Sequence, residues 1–231
     1  MSDLNRELET LLREDGADLV GFADLKDVPE AGMPFGVSVA IRLPPEIVRS
    51  IEDGPNLPYY ETYHDINARL DKIVTAGAEY LKSLGYQATA QTTKAVVKLN
   101  ENATLLPHKT VATRAGLGWI GRNALLVTRE FGPALRFSSI LTDAPLEAVK
   151  PVDESSCGDC GECVRYCPRG RSRARSGRWG YRASASWTWA PAVRPWKCSA
   201  RSGSGSKRRS VASASRSARS RAGISKSWSD F

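Results

Sequence analysis

Residues 169–231 of this 231-residue chain contain no leucine and no glutamate, and Asp230 is their single acidic residue. Their only aliphatic side chains larger than alanine are Val193, Val211 and Ile224. Those are too few to bury a core, so the composition excludes a packed domain there and predicts disorder. In their place stand 16 Ser, 13 Arg, 3 Lys and five of the chain's six Trp. The first 168 residues have the opposite balance, with 20 Leu and 17 basic against 24 acidic residues. The overall charge of +8 therefore describes neither half. The chain also lacks an apolar run of membrane-spanning length, and Met1-Ser2-Asp3 opens a polar, acidic helix instead of a secretory signal. With the clustered thiols described next, these absences predict a cytoplasmic protein in a reducing compartment with no membrane partner.

Cysteine is scarce, with five in all, but four fall within eleven residues. Cys157, Cys160, Cys163 and Cys167-Pro168 form a C-x2-C-x2-C-x3-C-P run, the bacterial ferredoxin-type spacing for a 4Fe–4S cluster. Soft iron takes thiolate ligands, and three cysteines two residues apart wrap one face of a cubane. Zinc sites usually pair two separated C-x2-C hooks, and adjacent disulfides suit small secreted scaffolds, so both fit less well. In two-cluster domains the fourth cysteine ligates the other cluster. Downstream this chain offers only Cys198, so as written it holds at most one complete ligand set.

Two readings of residues 169–231 compete. One is a basic, Trp-bearing arm that binds nucleic acid. The other is translation out of frame. If each original codon joins the last base of one displayed codon to the first two of the next, Arg169-Gly170-Arg171-Ser172 permits Ala-Gly-Ala-Ile. Ser210-Val211, Ser213-Ala214 and Ser217-Ala218 each permit Cys, and Ala218-Arg219 permits Pro. That latent C-x2-C-x3-C-P is the missing second run, and it favours a shifted frame near Pro168. A frame-restored protein would hold two clusters.

The first 168 residues predict an α/β (α+β) N-terminal domain over 1–150 and a truncated ferredoxin-like 4Fe–4S module over 151–168, with the disordered tail over 169–231. Leu4, Leu8, Leu11 and Leu12 have helical spacing, with Ser2 or Asp3 as N-cap and Gly16 as stop. Ile66, Leu70, Ile73, Gly77, Tyr80 and Leu84 mark a long helix over roughly 59–84, closed by Gly85. Residues 109–115 read as a third helix. Residues 37–41, 87–92, 95–99, 124–128 and 135–141 read as strands. Gly116-Leu117-Gly118-Trp119-Ile120-Gly121 fits G-x-G-x-x-G, but it follows a helix and precedes a strand, the reverse of a dinucleotide-binding fingerprint. It reads better as a tight loop whose glycines allow positive φ or close approach of a ligand.

Residues 107–123, PHKTVATRAGLGWIGRN, together with Ser139-Ile140-Leu141-Thr142-Asp143 and the cysteine run, resemble the epoxyqueuosine reductase family. The likeness is strong over about 105–168 and weak before it, where the chain is short for the family. It implies a cobalamin-binding α/β domain coupled to a two-cluster ferredoxin domain. It also implies reduction of an epoxide in a tRNA nucleoside, a ferredoxin or flavodoxin type electron donor, and kinship with reductive dehalogenases. Arg114, Gly116, Gly118, Trp119, Gly121 and Asn123 are then the implied cofactor-binding residues. Glycines let backbone approach a flat macrocycle, while Arg and Asn bind its polar edges. The family's catalytic Asp falls, by counting back from Arg114, on Asn102, next to Glu101. An amide does not donate a proton as a tuned carboxylic acid does. His64 and His108 are the only histidines. His64 reads as a polar-face residue of the long helix, while His108, inside the family-like segment, stands with Glu101 and Asn102 as a catalytic candidate. Tyr59, Tyr60 and Tyr63 read equally as a pocket lining or as plain packing. Two function classes follow: a cobalamin-using iron–sulfur oxidoreductase, and an iron–sulfur electron-transfer protein without substrate chemistry of its own.

Overall fold

The computed structural model describes residues 2–52, 54–100 and 103–166. The expectations for the tail 169–231, for Cys167 and Cys198, and for Glu101 and Asn102 lie outside the described residues.

The chain opens with helix α1 (Asp3–Glu14), whose Ser2 side chain accepts from the Asn5 backbone N–H as the N-cap. Strand β1 (Leu19–Asp24) follows, then a short 3-10 turn (Pro29–Ala31), β2 (Phe35–Arg42) and α2 (Pro45–Ser50). Helix α3 (Leu57–Ser83) is capped by Asn56, which accepts from the Tyr59 N–H, and the chain reverses at Gly85 with φ +90°. After it come β3 (Ala88–Ala90), the small hairpin β4 (Lys98–Asn100) and β5 (Ala103–Thr104), and α4 (His108–Arg114). A second hairpin, β6 (Trp119–Ile120) and β7 (Leu126–Val127), leads to β8 (Leu135–Thr142) and finally to α5 (Glu162–Arg165).

Strands β1, β2, β8 and β3 pair in that order, and every pairing is antiparallel, with Val37 opposite Ile140 at the centre. Helices and sheet make a mixed α/β domain of the α+β kind. The sheet's two faces differ in residue size because strand side chains alternate. One face presents Phe22, Val37, Val39, Ile41 and Ile140 to Leu8 and Leu12 of α1 and to Ile66, Leu70, Ile73 and Val74 of α3, which form the main core. The other face, under α4, is small across the middle of β1 and β2, with Gly21, Ala23, Gly36, Ser38 and Ala40, while Leu141 and Phe137 of β8 stand beside them. A Cβ on Gly21 would stand 2.7 Å from the Ala115 carbonyl oxygen, and one on Gly36 would stand 3.0 Å from Val111 Cγ1. Those two glycines let α4 lie close against the sheet, with Val111 and Ala112 fully buried.

The helices at 3–14, 57–83 and 108–114 and the strands at 35–42 and 135–142 stand where the sequence pattern places them. Two strands are displaced. Residues 92–97 turn instead of extending, because the Thr92 hydroxyl and carbonyl both accept from the Ala95 N–H, so the strand begins at Lys98. Ala124 has φ +63°, which delays the strand expected from 124 to Leu126.

Candidate functional site

Helix α4 ends on Arg114 and the chain passes into the 116–123 loop, whose glycines pack against the protein itself. A Cβ on Gly116 would meet Val149 Cγ2 at 2.6 Å, one on Gly118 the Val127 carbonyl oxygen within contact range, and one on Gly121 Asn123 Oδ1 at 2.6 Å. Asn123 Oδ1 accepts from the Leu125 N–H at 3.1 Å. Gly116 has the positive φ expected of this loop, while the space foreseen for a ligand at these glycines is taken by the chain's own backbone and side chains. Trp119 lies in β6 opposite Val127, with its indole Nε1 buried.

The loop carries the cysteine arm. Val149 N–H donates to the Phe22 carbonyl, Val152 N–H donates to the Thr113 carbonyl at 2.9 Å, and Arg114 forms an ion pair with Asp153. These ties lay residues 149–153 across the end of α4. Arg122 then reaches the ligand turn itself: Nη1 donates to the Cys160 carbonyl at 2.8 Å and Nη2 to the Gly158 carbonyl at 2.6 Å. The turn is closed by Cys160 N–H donating to the Cys157 carbonyl at 3.0 Å, and Gly158 supplies its positive φ. Nothing in the residue pattern pairs Arg122 with carbonyls 36 and 38 residues away; contacts to main-chain oxygens leave no trace in residue identity.

Cys157 and Cys163 are half-buried, Cys160 is exposed, and all three are free thiols. Among the described residues, no three potential ligands converge closely enough to hold an ion. The donor chemistry nevertheless suits iron–sulfur ligation. Burial raises the Cys157 thiol, but the Ser155 hydroxyl, the Arg122 backbone N–H, the Trp119 indole and the Arg122 charge outweigh it, and the net shift is downward, toward thiolate.

The second cluster of ionisable groups lies at the start of α4. His108 Nδ1 is 2.9 Å from Ser139 Oγ of β8, and its ring meets Phe137 edge-on. Desolvation, helped by the Arg136 charge and opposed by Asp71, pushes His108 down to about 4, so the ring is neutral at pH 7. Arg136 stacks over the Tyr63 ring at 4.1 Å and donates to Asn67 Oδ1. Burial lowers Lys109, whose Nζ donates to the Ala124 carbonyl. His64 is exposed on α3 between Tyr60 and Tyr63, as its polar-face reading expects. Ser139, the partner that orients His108, lies in the family-like Ser139–Asp143 segment, but nothing in the sequence paired it with His108.

No family model matches the chain. Among curated proteins it is similar to epoxyqueuosine reductase of Listeria monocytogenes, 43% identical over 60 residues, covering 26% of this chain and 16% of the relative. It is also similar to epoxyqueuosine reductase of Lactococcus garvieae, 34% identical over 109 residues, 47% of this chain and 28% of the relative. The matched stretches thus span less than a third of those curated relatives. Among solved structures it resembles an epoxyqueuosine reductase bound to an epoxyqueuosine-modified tRNA-Tyr stem loop, with TM-score 0.53, 23% identity, 73% of this chain and 52% of that one. It also resembles a catabolic reductive dehalogenase, with TM-score 0.60, 21% identity, 71% of this chain and 25% of that one. No helix among the described residues is long and apolar enough to cross a membrane. Over those matched stretches the chain is similar in sequence to epoxyqueuosine reductases, and its α/β domain shares the fold of the reductase and dehalogenase structures.

Proposed function

We propose that the protein is an iron–sulfur oxidoreductase of the epoxyqueuosine reductase type, in which Cys157, Cys160 and Cys163 ligate a 4Fe–4S cluster beside the 116–123 loop and Cys167 serves a second. The observation that carries this reading is the grip of Arg122 on the Cys160 and Gly158 carbonyls, which joins the most family-like segment to the ligand turn. When bound, the cluster supplies single electrons, and a corrinoid supplies the two-electron chemistry at the substrate. The chain's own residues have separable tasks. Arg114 and Arg122 hold the cysteine arm on the domain. Neutral His108, oriented by Ser139, is a candidate to hold or accept a proton at Nε2.

Cobalamin as the cofactor is supported by the fold likeness to a dehalogenase described as B12-dependent, and tRNA as the substrate by the likeness to the tRNA-bound reductase. The latent second cysteine run supports the reading of 169–231 as a shifted frame, with the 1–150, 151–168 and 169–231 boundaries. A ferredoxin or flavodoxin type donor and a cytoplasmic setting complete the proposal.

The test is anaerobic purification, iron and sulfide analysis, cobalamin uptake, and turnover with epoxyqueuosine-containing tRNA and a strong reductant. Resequencing the gene across the codons for Cys167 to Gly170 precedes it. The written chain is expected to bind little iron, and the frame-restored chain about twice as much. With Asn102 at the position expected for the acid, slow epoxyqueuosine turnover is expected even in the restored chain. Full turnover would show that Asn102 is no obstacle. Iron uptake without cobalamin uptake would favour the electron-transfer alternative.

A further inference from the structure

Where β8 meets α3, a cation stands without an anion. Tyr63, Asn67 and Asp71 lie four residues apart on one stripe of α3. The half-buried Arg136 of β8 stacks over the Tyr63 ring, 4.1 Å from its centroid, and its Nε donates to Asn67 Oδ1 at 3.1 Å. A guanidinium only donates, so the amide oxygen is the atom that faces it. The stacking fixes the plane of the group and the Nε bond fixes its rotation in that plane. Nη1 and Nη2 are left as a fork with no hydrogen-bond partner among the described residues. No carboxylate among the described residues pairs with it either. Asp71, one turn beyond Asn67, has both oxygens taken, Oδ1 by the Thr93 N–H at 2.9 Å and Oδ2 by the Thr93 hydroxyl at 2.6 Å. His108, depressed first by desolvation, is lowered further by the Arg136 charge. Holding a long side chain in one geometry costs conformational entropy, and no counter-ion among the described residues offsets it. The approach is open, because β3 pairs with β8 only over residues 140–142 and no described strand covers that edge at Arg136.

We infer that Arg136 anchors an oxyanion of the substrate: Nη1 and Nη2 donate side by side to two oxygens of a carboxylate or phosphate, while Tyr63 and Asn67 hold the fork in place. Guanidinium geometry matches both groups bidentately, and charge-assisted pairs of this kind are stronger than neutral hydrogen bonds. Tyr63 and Asn67 are positioning residues that act through Arg136. Calling the anion a substrate rests on the oxidoreductase reading; the binding itself needs neither iron nor corrinoid.

The test titrates the full chain calorimetrically with sodium benzoate and, separately, with inorganic phosphate, at an ionic strength held constant with sodium chloride. Saturable binding of at least one is expected; benzoate marks an organic acid as the substrate class, phosphate a phosphorylated compound. Arg136→Gln is expected to weaken that binding at least about tenfold. Arg136→Lys should fall between, since lysine keeps the charge and loses the planar fork. Tyr63→Leu and Asn67→Ala keep the guanidinium but loosen it, and each is expected to weaken binding about threefold. Lys26→Gln removes an exposed cation already paired with Asp24 and should leave binding unchanged. Circular dichroism checks that each variant is folded; if Arg136→Gln is not, Arg136→Lys and Asn67→Ala decide. No saturable binding of either anion, or equal weakening by the Arg136 and Lys26 variants, would overturn the inference. A chain that binds the anion but takes up no iron defeats the iron–sulfur reading alone; one that loads iron and binds neither anion defeats this inference alone.

Discussion

The sheet domain and the cysteine arm are held by different physics. In the sheet domain, Leu8, Leu12, Val37, Leu70, Ile73, Val74, Leu81 and Ile140 are almost wholly removed from water. In residues 151–166 nothing is buried, and the arm is fastened by polar ties: Val152 to Thr113, Asp153 to Arg114, and Gly158 and Cys160 to Arg122. A core that excludes water folds on its own account, at about 25 cal/mol for each Å² of apolar surface removed. An arm fastened by exposed ties is positioned more than stabilised, since such ties contribute about 0–1 kcal/mol each. Its order depends on the domain beneath it and, on the proposed reading, on metal, whose binding energy is then folding energy for the arm.

The sharpest way to break the contrast is to open the core. Ile140→Ala, at the centre of β8 and fully buried, is expected to cost about 2–5 kcal/mol in urea unfolding followed by circular dichroism. A loss under about 1 kcal/mol would mean that the main core is not where the domain's stability lies. Gly118→Ala comes next. Its Cβ would fall on the Val127 carbonyl, backbone that cannot step aside cheaply, so about 1–3 kcal/mol of loss is expected in the same assay.

His108 gives a third, pH-dependent test within the domain. Its folded value of about 4 lies below the ordinary 6.5, so the unfolded chain binds the extra proton between those limits. The stability it confers is complete above pH 6.5 and is lost as pH falls toward 4, at about 1.4 kcal/mol per pH unit. His108→Gln should flatten the stability profile by that slope over the window; an unchanged slope would mean that the ring is not held neutral. The smallest effect belongs to the arm. Asp153→Asn should change unfolding of the domain by less than about 1 kcal/mol. It should nonetheless speed amide exchange in residues 152–166 while leaving that of α3 and β8 alone. Equal acceleration everywhere would merge the two regions into one cooperative unit.

Legibility followed the same division. The amphipathic faces of α1 and α3 and the alternation of β2 were readable because burial imposes a period on the residues: Leu8 and Leu12, Ile66 and Leu70 and Ile73, Val37 and Val39 all lie in one core. Strand β1 escaped notice. Leu-Val-Gly-Phe-Ala-Asp has both faces covered and Gly21 in its middle, so it shows neither alternation nor strong propensity. The four-cysteine spacing was readable as chemistry, yet the arm's attachment was not. Thr113, Gly158 and Cys160 take part through carbonyl oxygens that every residue has, and His108 found its partner in Ser139 across 31 residues of sequence. The 116–121 glycines read as room for a ligand, and in the structure Val149, Val127 and Asn123 stand against them instead.

The Arg122 fork also bears on how freely the arm's sequence can drift. Because the guanidinium reads only main-chain oxygens, it places no demand on the side chains of the turn it holds. Asp159, exposed between the two gripped carbonyls, is open to nearly any polar replacement, whereas a proline at Cys160 would lose the N–H that closes the turn on Cys157. Substitution can therefore recolour the surface around the thiols while the thiols themselves stay at the same address.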